Sequence, residues 1–314
     1  MAAAPIDRLS ALPDDILSQI LFLLPTKGSV STSTLATRWR HLWAHAPNLE
    51  FEDTFSENFK TLMSQCAAHN SAVTLRLFVT SRAHSKKFKS INTAIASNPK
   101  ALDLSFGYDG RVIPLSVFTS KTLVDLRLVR CRTEIRKNEA TTRLPALKRL
   151  HLERVTLDES LEKVLSGCPV LEELTIKQNL PLCKIRRQDG TPICLPALKR
   201  LHLECVELGD SFMNLIYGCP GLEELTVRKN LPNSVNDKSI IMCLPALKRL
   251  RLECVELCGG SLESLHIYCP MVSVLAIEGN ILSNMFTYET IVDLTVASRK
   301  DFKQRRGEQV NVVR

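Results

Sequence analysis

The sequence predicts an α/β chain: a small N-terminal α-helical module followed by a repeat solenoid built on a parallel β-sheet. Three observations carry that expectation. Leucine fills 48 of the 314 positions, a unit of about fifty residues returns twice almost unchanged, and the first fifty residues lack the repeat yet hold both tryptophans. A hydrophobic fraction of 45% with 24% charged residues and mean hydropathy of +0.00 gives an ample core and excludes disorder as the dominant state.

Residues 1–50 read as the helical module. Pro13 suits a first helical position, Asp14 and Asp15 favour the positive helix end, and Pro25 closes the run. Leu12 stands just before that start, and Ile16, Leu17, Ile20, Leu21 and Leu24 recur at helical spacing, as do Leu35, Trp39, Leu42 and Trp43 further on. A module of about 45 residues is too small to hide all of these groups by itself, so some should face a partner.

After a connecting segment, 51–71, the solenoid is expected over 72–298. The segment LPALKRLHLERVTLDESLEKVLSGCPVLEELTIKQNL, beginning at Leu144, returns at Leu195 and again at Leu244. Each long unit contains two shorter patterns, apolar-x-x-Leu-x-apolar, whose first residues are Leu123, Leu147, Leu171, Leu198, Leu222, Leu247 and Val272. The intervals of 24, 24, 27, 24, 25 and 25 residues match leucine-rich repeats, in which every unit supplies one short strand and a returning segment. Period two on the strand turns Leu150 and Leu152 inward. Weaker copies add Leu75 and Leu77, Leu102 and Leu104, and at the far end Leu294 and Val296, giving about ten coils before a basic tail, 299–314.

The returns read as helices in alternate coils, carrying Leu161, Val164 and Leu165, then Phe212, Leu215 and Ile216. Gly167-Cys168-Pro169 and Gly218-Cys219-Pro220 should stop them, with glycine in a left-handed cap. Asn179, Asn230 and Asn280 fall eight residues after their anchors, where a side-chain amide can bond adjacent turns; Val155, Val206 and Val255 hold that place in the other coils.

Between the inward leucines the outward residues alternate in charge: Arg149, Glu173, Arg200, Glu224, Arg249 in one column and Glu153, Lys177, Glu204, Arg228, Glu253 in another. Parallel strands about 4.8 Å apart make these columns self-neutralising. Partner specificity is therefore expected in 181–193, 232–242, the early coils near Phe78 and Phe106, and the tail after Asn280, with His151 and His202 as exposed repeat residues.

Several functions are disfavoured. The net charge of +8 comes without stacking motifs, zinc-finger spacing or arginine-glycine tracts, so no nucleic-acid partner is expected. Eleven cysteines, odd in number and with no C-x-x-C pair, read as reduced thiols, and seven recur at equivalent coil positions suited to buried small apolar residues. Cys254 and Cys258 lack matched ligands, so no metal and no cofactor are expected. No G-x-S-x-G, phosphate loop or H-E-x-x-H marks a catalytic residue, so the chain is not expected to be an enzyme. The apolar stretch 16–24 is too short for a membrane span, and the start MAAAPIDRLSALPDD lacks an export signal. An intracellular location, nucleus and/or cytoplasm, follows as an expectation, with RKDFKQRR as a weak nuclear address.

The string DRLSALPDDILSQILFLLPTKGSVSTSTLATRWRHLW resembles the F-box of plant F-box proteins in its LP-x-x-ILS-x-I start, LPTK turn and RWRHLW finish. PNLEF, LDLSF and CPVLEEL extend the resemblance to the plant F-box/leucine-rich-repeat family. Members often carry a C-terminal FBD, of which a complete copy is not expected after the last coil here, and Gly28 stands where relatives are often acidic. The resemblance implies a non-catalytic substrate-receptor subunit of a Skp-cullin-F-box ubiquitin ligase, with the repeats holding a target protein. It also implies that Leu12, Pro13, Ile16, Leu17, Ile20, Leu24, Leu35, Trp39, Leu42 and Trp43 form the F-box core and its surface for a Skp-type adaptor, and through it a cullin. The alternative is a leucine-rich-repeat interaction protein whose F-box acts outside a ligase.

Overall fold

The computed structural model describes residues 9, 11–40, 42–45, 48–52, 74–79, 87–108, 111–133, 142–156, 160–178, 193–206, 210–228, 239–253, 264–269, 271, 273–278, 291–296 and 302–304. Sixteen strands are described. In chain order they are β1 (Asn48–Glu52), β2 (Thr74–Val79), β3 (Ala101–Phe106), β4 (Arg111–Val112), β5 (Asp125–Val129), β6 (Cys131–Arg132), β7 (Arg149–Glu153) and β8 (Glu173–Lys177). Then come β9 (Arg200–Glu204), β10 (Glu224–Arg228), β11 (Ser239–Cys243), β12 (Arg249–Glu253), β13 (Ser264–Cys269), β14 (Val274–Glu278), β15 (Ile291–Val296) and β16 (Phe302–Gln304).

Eleven of these form one parallel sheet in the order β1-β2-β3-β5-β7-β8-β9-β10-β12-β14-β16. Its register is the leucine repeat made visible: Leu126, Leu150, Leu174, Leu201, Leu225 and Leu250 lie opposite one another in succession, and all are essentially buried. The period-two alternation thus stacks identical side chains behind the sheet, and the core runs without interruption from Leu17 to Cys269. The first strand crosses the boundary expected at residue 50, pairing Leu49 with Leu75 and Phe51 with Leu77.

The far end differs from expectation. Leu294 and Val296 belong to β15, which joins β11 and β13 in a separate parallel sheet; the main sheet continues instead through β14 and β16. The segments Ser160–Ser166 and Asp210–Tyr217 return as helices, as their spacing suggested, whereas in later coils strands occupy the return. β11 also places strand where 232–242 was expected to be irregular. IVDLTV satisfies the same apolar alternation in either sheet, and a short run cannot tell a main strand from a return strand.

Gly167 and Gly218 are needed for a different reason from the one expected. Neither adopts a left-handed φ; a Cβ on Gly167 would lie 2.5 Å from the Thr142 carbonyl oxygen, and one on Gly218 would collide with the Ile193 carbonyl. Besides Asn98, the left-handed non-glycine positions among the described residues are Arg130, Arg154, Gln178 and Cys205, just past their strands, with φ of 51–55°. Each donates its N–H to the carbonyl of Glu153, Lys177, Glu204 or Arg228 in the next coil. Val155 and Val206 are buried; Asn179, Asn230, Asn280 and Val255 lie outside the described residues. Cys168, Cys219 and Cys269 are buried, and their thiols are pushed up to about 12, 12 and 11 by burial. Cys194 and Cys243, however, are exposed, correcting the expectation that all recurrent cysteines fill the core.

Candidate functional site

Two surfaces stand out. The first belongs to the N-terminal module. Helix α1 (Asp14–Phe22) starts after Pro13, whose extended backbone makes it the N-cap, and carries Asp14 and Asp15 in its first turn. Pro25 similarly precedes α2 (Thr26–Ser31). The remainder, expected to be helical, forms short 3-10 turns at Thr32–Thr34, Thr37–Arg40 and Leu42–His45. Its composition explains this: the hydroxyls of Thr32 and Thr34 donate to the carbonyls of Ser29 and Ser31 at 2.6 and 2.9 Å, competing with a regular α-helical ladder.

Only part of the apolar set expected to serve the adaptor is turned inward. Leu17, Trp39, Leu42 and Trp43 are buried, and the Trp43 indole N–H donates to the Arg40 carbonyl at 3.0 Å. Leu12 and Ile20 are intermediate; Pro13, Ile16, Leu24 and Leu35 are exposed. The most exposed large apolar side chain among the described residues, Leu23 at 86%, was not among those expected, nor were Leu9 and Phe22, both exposed; Leu35 is 67% exposed. The signal was present: the run ILSQILFLL has more apolar residues than the stripe of Leu17 and Leu21 can bury. Arg38 bonds Asp14 at 2.6 Å, Ser29 donates to the Leu21 carbonyl at 2.8 Å, and the Glu50 N–H donates to Thr26 Oγ1 at 2.8 Å, tying the module to β1.

The second surface is the outward strand face. Its charges pair between coils, in couples and in short chains. Arg149 reaches back to Asp125 at 2.8 Å, Arg200 to Glu173 at 2.9 Å and Arg249 to Glu224 at 2.7 Å. In the other column Lys177 reaches forward to Glu204 at 3.3 Å and Arg228 to Glu253. Lys148 and Lys248 hold Glu172 and Glu223 below the usual carboxylate range through hydrogen bonds. Burial pushes Glu204 up, but Lys177 and His202 together outweigh it and keep that carboxyl low.

Between the charged columns lies an open depression of about 360 Å³, lined in part by His151, Thr175, Lys177, His202 and Thr226. The two histidines are half-buried rather than exposed, and burial lowers both imidazole pKa values. His202 Nε2 is buried without a hydrogen-bond partner, the Glu204 carboxylate at 3.6 Å being too distant for a bond. Among the described residues no cluster could hold a metal and no helix is long and apolar enough to cross a membrane. Residues 181–192 and 232–238, among those expected to carry specificity, lie outside the described residues.

Comparison with known proteins covers both regions of the chain. Residues 9–50 match the F-box domain, 197–220 a leucine-rich repeat, and 98–191 the leucine-rich repeats of FBD-associated F-box protein At5g56370. Among relatives from Arabidopsis thaliana, F-box/FBD/LRR-repeat protein At1g51370 is 37% identical over 54% of this chain and 40% of its own length. FBD-associated F-box protein At5g27750 is 33% identical over 71% and 55%, and putative F-box/FBD/LRR-repeat protein At3g56780 is 28% identical over 93% and 74%. The chain spans between 40% and 55% of the length of the first curated relatives it matches. It carries an F-box followed by leucine-rich repeats, the architecture of the plant F-box/leucine-rich-repeat proteins.

Proposed function

We propose that this chain is a substrate-receptor subunit of a Skp-cullin-F-box ubiquitin ligase, acting inside the cell. The observation that carries the reading is the apolar surface of the F-box, with Leu23 and Leu35 largely in water. Large apolar groups on so small a module suit a protein contact. Ile16, Leu23, Leu24 and Leu35, with Pro13, meet the Skp-type adaptor, while Leu17, Trp39, Leu42 and Trp43 support them from the core. The chain contributes no catalytic residue; the repeats hold a target protein so that its lysines meet a ubiquitin-charged enzyme at high effective concentration.

Co-purification of the full chain with a Skp-type adaptor and a cullin tests this. Wild-type protein should retain both, and Leu23→Ser/Leu35→Ser should release both while melting normally. Retention of the adaptor without the cullin would favour an F-box acting outside a ligase; a folded chain that retains neither would refute the assignment.

A further inference from the structure

The middle outward position of the strands, four residues after each anchor, forms a column that runs the length of the described sheet. In order it reads Glu50, Arg76, Asp103, Arg127, His151, Thr175, His202, Thr226, Arg251, Ala276 and Lys303. Arg127 and Arg251 flank its middle, where four successive coils carry only imidazoles and hydroxyls. That stretch is a lane about 14 Å long, from three strand spacings of about 4.8 Å.

The walls of the lane are occupied. On one side Arg149, Arg200 and Arg249 are each paired with an acid of the preceding strand. On the other, Glu153 is met by Arg127 at 3.2 Å and by His151 at 3.4 Å, and Glu204 by Lys177 at 3.3 Å. Arg127 and Arg251 close the ends, themselves bound to Asp103 and Glu153, and to Glu253. A charged group entering here would have to displace an existing ion pair or lose its water without replacement. An uncharged hydrogen-bonding group meets no such cost. It would find the Thr175 and Thr226 hydroxyls and the buried, unsatisfied His202 Nε2. Burial keeps both imidazoles towards their neutral form, so either ring can accept as well as donate.

We propose that the His151–Thr175–His202–Thr226 lane is where the target protein is held, and that its occupant is an extended, uncharged polar peptide segment of about four residues, at about 3.3 Å per residue. Such a segment presents alternating backbone N–H and C=O groups along its length, matching a lane that offers both donors and acceptors. The proposal rests on the receptor reading above and deepens it. It also moves recognition from the irregular segments onto the strand face.

An array of synthetic peptides, with four-residue cores drawn from Ser, Thr, Asn, Gln and Gly or from those same cores carrying Asp, Glu, Lys or Arg, tests it against the full chain co-purified with its adaptor. Neutral cores should be retained at least tenfold better than charged ones, and Thr175→Tyr, which fills the lane, should reduce retention to background without changing the melting temperature. Should Thr175→Tyr melt early, Thr226→Tyr supplies the same test. Preference for charged cores, retention that survives the filling substitution, or no core above background would overturn the proposal. Self-association abolished by Thr175→Tyr would assign the lane to a second copy of the chain and overturn it equally. Adaptor retention, read in the same samples, separates the two readings: its loss with peptide binding intact refutes the ligase assignment alone, and the converse refutes the lane alone.

Discussion

The F-box and the strand face of the solenoid answer the same problem, a surface rich in potential contacts, in opposite ways. The F-box leaves Leu23 and Leu35 in water and closes a small core of Leu17, Leu21, Trp39 and Trp43 behind them. The strand face pairs its charges from coil to coil and leaves a narrow neutral lane between them. The first surface gains by being covered; the second is already satisfied and admits only what does not disturb it. Under the readings proposed above, a partner for one is selected by apolar fit, and for the other by the absence of charge.

The comparison can be broken hardest at the F-box core. Trp43→Ala should cost about 3–5 kcal/mol through the cavity it leaves and abolish adaptor retention by unfolding the module, a change thermal melting would register. Gly218→Ala should cost about 1–3 kcal/mol, because the added methyl forces backbone apart; its melting curve should show destabilisation with the F-box surface residues untouched. Leu23→Ser/Leu35→Ser should leave stability within about 0.5 kcal/mol yet weaken adaptor binding at least tenfold, or about 1.4 kcal/mol, by calorimetry on the purified pair.

Smaller effects sharpen the strand face. Burial lowers the pKa of His151 and His202 in the folded chain, so the folded state binds fewer protons than the unfolded one between the two values. Stability is then full above the unfolded pKa of about 6.5 and is lost as pH falls through it towards the folded value. Melting temperatures measured from pH 7.5 to 5 should decline, and His151→Gln/His202→Gln should flatten part of that decline. Arg200→Gln should cost less than about 1 kcal/mol, since its pair with Glu173 is largely solvated, and the difference from wild type should shrink in high salt.

The sheet was legible because leucine spacing reports both the period of the coil and the alternation of the strand. Leu150, Leu174 and Leu201 had one structural solution. IVDLTV had two, a main strand or a return strand, and only pairing with β13 decides between them. The cysteines divide similarly: equivalence in the repeat identified recurring positions but not their exposure, so Cys168 is buried while Cys194 is not. At the F-box, the apolar run announced a helix with more hydrophobic surface than its core could use, but assigning Leu17 inward and Leu23 outward requires knowing what packs against α1. The strand charges were read correctly as self-neutralising. What sequence could not reveal was the depression between them, because it arises from the short side chains of Thr175 and Thr226 beside longer neighbours across strand registers.

The Glu50–Thr26 hydrogen bond and the pairing of β1 with β2 join the F-box to the sheet without a change of strand direction. The solenoid is consequently a ruler whose zero mark is fixed at the F-box. Four strand spacings separate β1 from β7, about 19 Å, and each coil added or removed between them would shift the lane by a further 4.8 Å or so relative to that mark. Under the proposed receptor role, repeat number upstream of His151 would set how far cargo is carried from the adaptor, independently of which cargo the lane accepts.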